Sequence, residues 1–268
     1  PFIRATSLGH EVLHNWWGNG VYPDYARGNW SEGLTNFMAD YAYRERESPE
    51  AATGMRLAWL RDFAAMPPAD DAPLARFSSR THGASQIVGY NKSAMLFFML
   101  RDAVGETAVD QGVRGFWSEN RFRIASWDDL RGAFERASGK DLAAFFGQWL
   151  ERSGAPDLRI TGAEAKPVAG GWQLRVSLEQ GVPAYALSVP LVIRTGDGEI
   201  TRRIELARAR DTAVLELAAE PLEIALDPEL RLMRRLAAAE APPILRDAML
   251  AQSPVLITPT ASTAVQAA

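Results

Sequence analysis

The segment HEVLHNWWGN, residues 10–19, carries the pattern from which the rest of the chain is interpreted. Apolar residues recur at helical spacing over residues 3–17, which predicts a helix. Because positions four apart lie on the same face of a helix, His10 and His14 can bind one metal ion. Glu11 lies about 100° around that helix and can reach a water on the ion without binding the ion. This is the HExxH arrangement of zinc peptidases.

A third protein ligand is needed, because a catalytic zinc ion usually has three protein ligands and one open position. Glu32 lies at the start of a second predicted helix and is one candidate. An alternative is that Glu32 caps this helix by reaching back to Asn29. His82 is the only remaining histidine of the chain, and it lies in a polar segment that is predicted to be a loop. The spacing alone leaves the third ligand open.

Composition excludes several classes of protein. The 268 residues include 29 Lys and Arg against 33 Asp and Glu, a net charge of −4, so the basic excess of a nucleic-acid binder is missing. The absence of cysteine excludes disulfides and thiol nucleophiles. Apolar runs are far shorter than the ~18 residues of a membrane span. We therefore expect a soluble protein of about two domains. The compartment and the oligomeric state stay open.

The apolar period changes along the chain, from about 3.6 residues in the first part to 2 in the second. A boundary falls at Ser153-Gly154-Ala155-Pro156. Ser126 and Asp129 are placed for a capping box at the start of one helix. The predicted helices cover 3–17, 30–47, 50–66, 88–102, 107–120, 127–137 and 141–151. The predicted strands cover 172–178, 187–193, 200–206, 213–217 and 222–226.

These elements predict an α+β fold. Residues 1–155 form a helical domain, residues 156–235 form a small antiparallel β-sandwich, and residues 236–268 form an Ala- and Pro-rich linker or tail. Since the chain starts at Pro1 rather than Met, we interpret it as part of a longer protein.

The motifs together resemble the aminopeptidase N family of zinc metallopeptidases. Residues 10–19 match its HExxH core followed by x-W-x-G-N, and Glu32-Gly33 matches its glutamate-ligand pair. Tyr90-Asn91-Lys92-Ser93-Ala94 matches the family's Y-x-K motif with its catalytic tyrosine. Residues 127–142 and 145–154 resemble the end of the family's catalytic domain. The resemblance covers residues 3–157, and it extends less specifically through the β-rich region to about residue 228.

The resemblance implies a mostly helical, thermolysin-like catalytic lobe followed by a small β domain. It implies one Zn²⁺ ion held by His10, His14 and Glu32. Glu11 is then the general base, and Tyr90 stabilises the oxyanion. The implied reaction is hydrolysis of peptide substrates, with removal of N-terminal residues. Two alternatives are a zinc hydrolase that acts on a non-peptide substrate and a non-catalytic peptide- or protein-binding module that retains the fold.

Two departures from the family pattern accompany the resemblance. Between His14 and Glu32 lie 17 residues, one fewer than is usual in the family, and we expect the loop over 20–28 to absorb the difference. The family's amine-reading segment, Gly-x-Met-Glu-Asn upstream of HExxH, is not in this sequence: either it lies outside residues 1–268 or the protein lacks it, so the resemblance implies a metallopeptidase more firmly than an aminopeptidase.

The residues that orient the metal-binding imidazoles stay open at this point. Asn36 and Asp40 lie one and two turns after Glu32, and either could serve. Trp16, Trp17 and Trp30, together with the run 95–100, are expected in the apolar core.

Overall fold

The computed structural model describes residues 7–241. The start of the first predicted helix and the tail from residue 242 lie outside the described residues. Two long helices are continuous but have a π-helical segment in the middle: α2 spans 31–47 and α4 spans 83–104. The helices are α1 (Leu8–Leu13), α2 (Ser31–Thr35, Asn36–Tyr41 and Ala42–Glu47), α3 (Pro49–Ala65), α4 (Gly83–Gln86, Ile87–Lys92 and Ser93–Val104), α5 (Glu106–Asn120), α6 (Trp127–Ser138) and α7 (Ala143–Glu151).

The strands form three small sheets. The strands are β1 (Tyr22–Pro23), β2 (Ile124–Ala125), β3 (Arg159–Val168), β4 (Gly171–Glu179), β5 (Leu187–Thr195), β6 (Gly198–Leu206), β7 (Arg210–Leu217) and β8 (Pro221–Leu226). Two of these sheets have three antiparallel strands each, in the orders β3-β4-β7 and β6-β5-β8, and β1 pairs with β2 in parallel. Helices and antiparallel sheets follow one another along the chain, which confirms the predicted α+β class.

The core of the helical part is built around α4. Its run Met95 to Leu100 is buried, as predicted, and so are Trp17 and Trp30. The prediction for Trp16 is wrong, because 44% of that residue is exposed. Helix α1 ends at Leu13, so Trp16 lies in the following turn and its side chain does not pack into the core. None of the helices within residues 7–241 is long and apolar enough to cross a membrane.

The chain after β8 returns to the helices. Leu232 and Met233 are buried there. Arg56 of α3 donates hydrogen bonds to the main-chain oxygen of Glu229 at 2.9 and 3.1 Å. Arg231 Nε donates to Asp102 Oδ2, on α4, at 2.8 Å. These contacts fasten the β region to the helical region through its last segment.

A buried lysine joins the two regions from the other side. Lys92, at the end of the π segment of α4, is 1% exposed. Its Nζ donates hydrogen bonds to the main-chain oxygens of Arg152 at 3.1 Å and Gly154 at 2.9 Å, and it lies 3.9 Å from Asp71 Oδ1. Asp71 also accepts a hydrogen bond from the Gly154 N–H. The boundary found in the sequence is therefore held against α4 by a buried charge.

This lysine predicts a pH-dependent stability. Burial lowers the pKa of Lys92 to about 8, although Asp71 opposes the shift, whereas an unfolded lysine has a pKa of about 10.4. Between these values unfolding takes up a proton, so the free energy of unfolding rises with pH. Between pH 7.5 and pH 10, we expect the free energy of unfolding of the wild type to rise by about 2 kcal/mol more than that of Lys92→Met. Urea denaturation at the two pH values measures this difference. The control is Lys166→Met, at an exposed position on β3, and its free energy of unfolding should rise with pH as much as that of the wild type. Parallel pH curves for wild type and Lys92→Met would contradict the prediction.

Candidate metal centre

Two helices bring three potential metal ligands to one point. His10 lies in α1 and His14 caps its C-terminal end, one turn later. Glu32 lies in the first turn of α2. Glu32 Oε2 is 3.4 Å from His10 Nε2 and 3.2 Å from His14 Nε2, and the three ligand atoms all lie within 4.8 Å of one another. The three side chains can therefore bind a single ion.

The donor set fits a zinc ion. Zinc binds imidazole nitrogen and carboxylate oxygen at about 2.0–2.2 Å. In a tetrahedron with bonds of that length, neighbouring ligand atoms are about 3.4 Å apart. The two distances from Glu32 to the imidazoles already have this value. Three protein ligands leave a fourth position for water or substrate, which is typical of catalytic rather than structural zinc sites.

Both imidazoles are oriented by partners at Nδ1. His10 Nδ1 donates to Asp40 Oδ2 at 2.6 Å, and His14 Nδ1 donates to the main-chain oxygen of Trp17 at 2.8 Å. A proton held at Nδ1 leaves the Nε2 lone pair free for a metal, and such partners fix the ring orientation. Of the two residues left open by the sequence, Asp40 therefore takes this role for His10.

The π segment of α2 explains why Asp40 can reach His10. Asp40 follows Glu32 by eight residues, which on a regular α-helix places the two side chains about 80° apart. The segment Asn36–Tyr41 is π-helical and has more residues per turn. The extra residue brings Asp40 back to the face of Glu32. Single-turn π segments of this kind occur frequently at functional sites.

The electrostatics of the cluster favour a cation. Burial raises the pKa of Glu32, but hydrogen bonds with His10 and His14 outweigh burial and lower it to about 2. Burial lowers the pKa of His10, but hydrogen bonds to Asp40 and Glu32 outweigh it and raise the pKa to about 9. The hydrogen bond to Glu32 raises the pKa of His14 as well. An ionised carboxylate that holds protons on two imidazoles also attracts a metal ion to the same point.

Glu11 faces the cavity beside this cluster. The cavity has a volume of about 760 Å³, and His10, His14, Glu32 and Tyr90 also line it. Glu11 is exposed, and its carboxylate forms no hydrogen bond or ion pair with another residue of the described range 7–241. It is thus available to accept a proton from a molecule in the cavity.

Tyr90 approaches the cluster from α4. Its ring is stacked on that of His10, with 6.0 Å between the centroids and an angle of 11° between the planes. Burial and the negative charge of Glu32 both raise the pKa of Tyr90. The hydroxyl therefore stays protonated and can donate a hydrogen bond into the cavity.

Close packing of α2 on α4 sets the distance between Glu32 and Tyr90. A Cβ on Gly33 would lie 1.8 Å from Ser93 Oγ, which no side chain can occupy. Gly33 and the small Ser93 therefore let the two helices meet directly. This is the physical reason for the Glu-Gly pair and for a small residue after the Tyr-x-Lys motif.

His82, the other candidate for the third ligand, lies in a helix cap, and the capping role considered for Glu32 is not formed. His82 caps the first turn of α4, where its Nδ1 accepts a hydrogen bond from the Ser85 N–H at 3.3 Å. Asn29 Oδ1 accepts hydrogen bonds from the N–H and Oγ of Ser31. The Asn29 N–H donates to the main-chain oxygen of Phe77 rather than to Glu32. Glu32 therefore does not close a capping box in this structure.

Sequence reasoning missed several residues that border the cavity. Met55 and Trp59 of α3 form an apolar part of its wall, and Arg44 and Arg80 are cations on its lining. They come from separate elements, and their spacing gives no signal of a shared cavity.

Comparisons with known proteins identify the family of the chain. The family model described as "Peptidase family M1 domain" matches residues 4–149. The chain is 26% identical over 211 residues to Aminopeptidase N of Haemophilus influenzae, covering 74% of this chain and 24% of that protein. It is 27% identical over 206 residues to Aminopeptidase N of Escherichia coli, covering 72% of this chain and 23% of that protein.

A solved structure has the same fold. The chain superimposes on aminopeptidase A of Legionella pneumophila, determined in complex with aspartic acid, with a TM-score of 0.63 and 23% identity. The match covers 84% of this chain and 26% of that chain. The chain spans about a quarter of the length of the curated relatives that it matches.

Proposed function

The chain belongs to peptidase family M1, and from that premise we propose that it carries the zinc site of an enzyme that removes N-terminal residues from peptides. The observation that carries the proposal is the convergence of His10, His14 and Glu32 at one point, with Glu11 and Tyr90 in the same cavity. The relatives named Aminopeptidase N support the choice of substrate class.

Each of the three ligands has a defined part in holding zinc. A bound zinc ion would take the place of the Nε2 protons of His10 and His14, while the hydrogen bonds from Nδ1 to Asp40 and to the Trp17 carbonyl keep the remaining proton at Nδ1. Glu32 supplies the negative charge. Zinc in a site of this kind lowers the pKa of a bound water to about 7 and polarises a carbonyl.

Glu11 is the proposed general base. Its carboxylate takes a proton from the attacking water and then passes it to the nitrogen of the leaving group as the peptide bond breaks. A general base must lie within hydrogen-bond reach of the proton that it removes. Glu11 lies next to His10 in the sequence and lines the same cavity as the three proposed ligands, which supports this role.

Tyr90 is the proposed donor to the oxyanion. As water adds to the peptide carbonyl, negative charge develops on the carbonyl oxygen, and a donor already in place stabilises that charge without reorganisation. The raised pKa of Tyr90 keeps its proton on the hydroxyl. The Tyr90 hydroxyl lies near the carboxylate of Glu32, which is one of the three proposed zinc ligands.

The test uses paired fluorogenic peptides and the intact natural protein that carries this sequence. One peptide has a free amino terminus, and the other is identical but acetylated. We expect cleavage of the free-amine peptide alone and one zinc per chain by atomic absorption. Cleavage of both would indicate an endopeptidase. Cleavage of neither, with zinc bound, would contradict the proposal and favour a non-peptide substrate or a binding role.

A further inference from the structure

A side-chain amide joins the two π-helical segments beside the metal centre. Asn36 begins the π segment of α2, and Tyr90 lies in the π segment of α4. Asn36 Nδ2 donates a hydrogen bond to the main-chain oxygen of Tyr90 at 3.2 Å. Asn36 is only 5% exposed. Water therefore has little access with which to replace this bond.

The Tyr90 carbonyl lies within the π segment, where main-chain hydrogen bonding departs from that of a regular α-helix. In a regular α-helix it would accept the N–H of Ala94, four residues later. Here the Ser93 N–H hydrogen-bonds to the main-chain oxygens of both Tyr90 and Val88, and the bond to Val88, five residues back, is the π-helical one. The irregular helix thus turns a main-chain oxygen at Tyr90 toward α2, and Asn36 supplies the donor.

The bond belongs to the direct contact between α2 and α4. Gly33 meets Ser93 at the point of closest approach, and Asn36 meets Tyr90 one turn away in the antiparallel direction. Along α2, Glu32 contacts the two imidazoles and Asp40 orients His10. The same helix that builds the metal site therefore also holds the main chain of the tyrosine.

We propose that Asn36 is a positioning residue for Tyr90, which holds the phenol at a fixed distance from the metal ligands through the Tyr90 main chain. This inference rests on the proposed function, because the role of Tyr90 in the reaction is part of that function. Nothing in the sequence indicated this role, since Asn36 was considered only as a partner of the imidazoles.

The kinetic test removes the amide in two backgrounds. In the intact zinc-loaded protein, Asn36→Leu keeps the side-chain size but removes the donor, and we expect kcat to fall about tenfold with KM nearly unchanged. In a Tyr90→Phe background the same substitution should have no further effect. Equal loss in both backgrounds, or loss of zinc, would overturn the proposal. Asn36→Ala replaces Asn36→Leu if the latter does not fold.

Asn120→Leu is the matched control. Asn120 Nδ2 donates to the main-chain oxygen of Phe116 at 3.0 Å on α5. This bond also joins a side-chain amide to a main-chain oxygen, but it lies within one helix and away from the cavity. This variant should keep the kcat of the wild type.

Hydrogen exchange tests the bond without catalysis. In metal-free protein, Asn36→Leu should speed amide exchange over residues 88–96 about tenfold and leave exchange in α1 unchanged. The control variant Asn120→Leu should exchange over residues 88–96 at the rate of the wild type. Unchanged exchange over 88–96 in Asn36→Leu would overturn the proposal. Since this measurement needs no substrate, it separates a failure of the positioning role from a failure of the proposed peptidase activity.

Discussion

Glu11→Gln is expected to lower kcat for peptide hydrolysis roughly 10³-fold while the zinc content stays at one per chain. The glutamine amide has the size of the carboxylate but does not accept the proton of the attacking water. Glu11 is exposed and lines the cavity, so we expect the fold to tolerate its replacement. The measurement combines kcat with the free-amine peptide and atomic absorption on the same sample.

The matched control for this variant is Glu164→Gln. Glu164 is exposed on β3, outside the residues that line the cavity, and the same chemical change there should leave kcat unaltered. Two results would contradict the role of Glu11 as the base. One is turnover within a few-fold of wild type, and the other is loss of zinc, which would make Glu11 a ligand.

The two proposed histidine ligands could be predicted from the sequence because their geometry is local. His10 and His14 depend only on the pitch of one helix. Glu32 required the resemblance to a family, since spacing alone did not separate a ligand from a cap. The loop between the histidines and Glu32 has one residue fewer than the family usually has. It still brings Glu32 to the imidazoles, because the position of α2 is set by packing against α4 at Gly33 rather than by loop length.

The π segments were not predictable. A period of 3.6 residues places Asp40 off the face of Glu32, so the spacing offered no reason to prefer Asp40 to Asn36. The structure gives each residue a partner that depends on the extra residue in the helix: Asp40 contacts His10 and Asn36 contacts Tyr90. Such an irregularity is a property of two packed helices, so a pattern within one helix does not reveal it.

Strand β3 was missed for a related reason. Its residues are almost all exposed at the edge of a sheet, so it lacks the alternation of apolar and polar residues that marked β4 and β5. Main-chain pairing with β4 forms this strand instead. The capping box of Ser126 and Asp129, by contrast, is a local feature and is present in the structure.

Tyr90→Phe is expected to lower kcat about 10²-fold, with zinc content and KM close to those of wild type. Phenylalanine keeps the ring that stacks on His10 and removes only the hydroxyl. If that hydroxyl donates to charge that appears only in the transition state, its loss appears in kcat and not in substrate binding. The measurement is a full Michaelis–Menten analysis of the free-amine peptide at saturating zinc.

The control and the contrary result for Tyr90 follow from its neighbours. Tyr25→Phe removes a hydroxyl from an exposed tyrosine that does not line the cavity, and it should leave both constants unchanged. A rise in KM at constant kcat would instead assign Tyr90 to substrate binding in the ground state. In that case Asn36→Leu should also act on KM, because Asn36 holds the same main-chain segment. We therefore expect Tyr90→Phe and Asn36→Leu to change the same kinetic constant, whether that is kcat or KM.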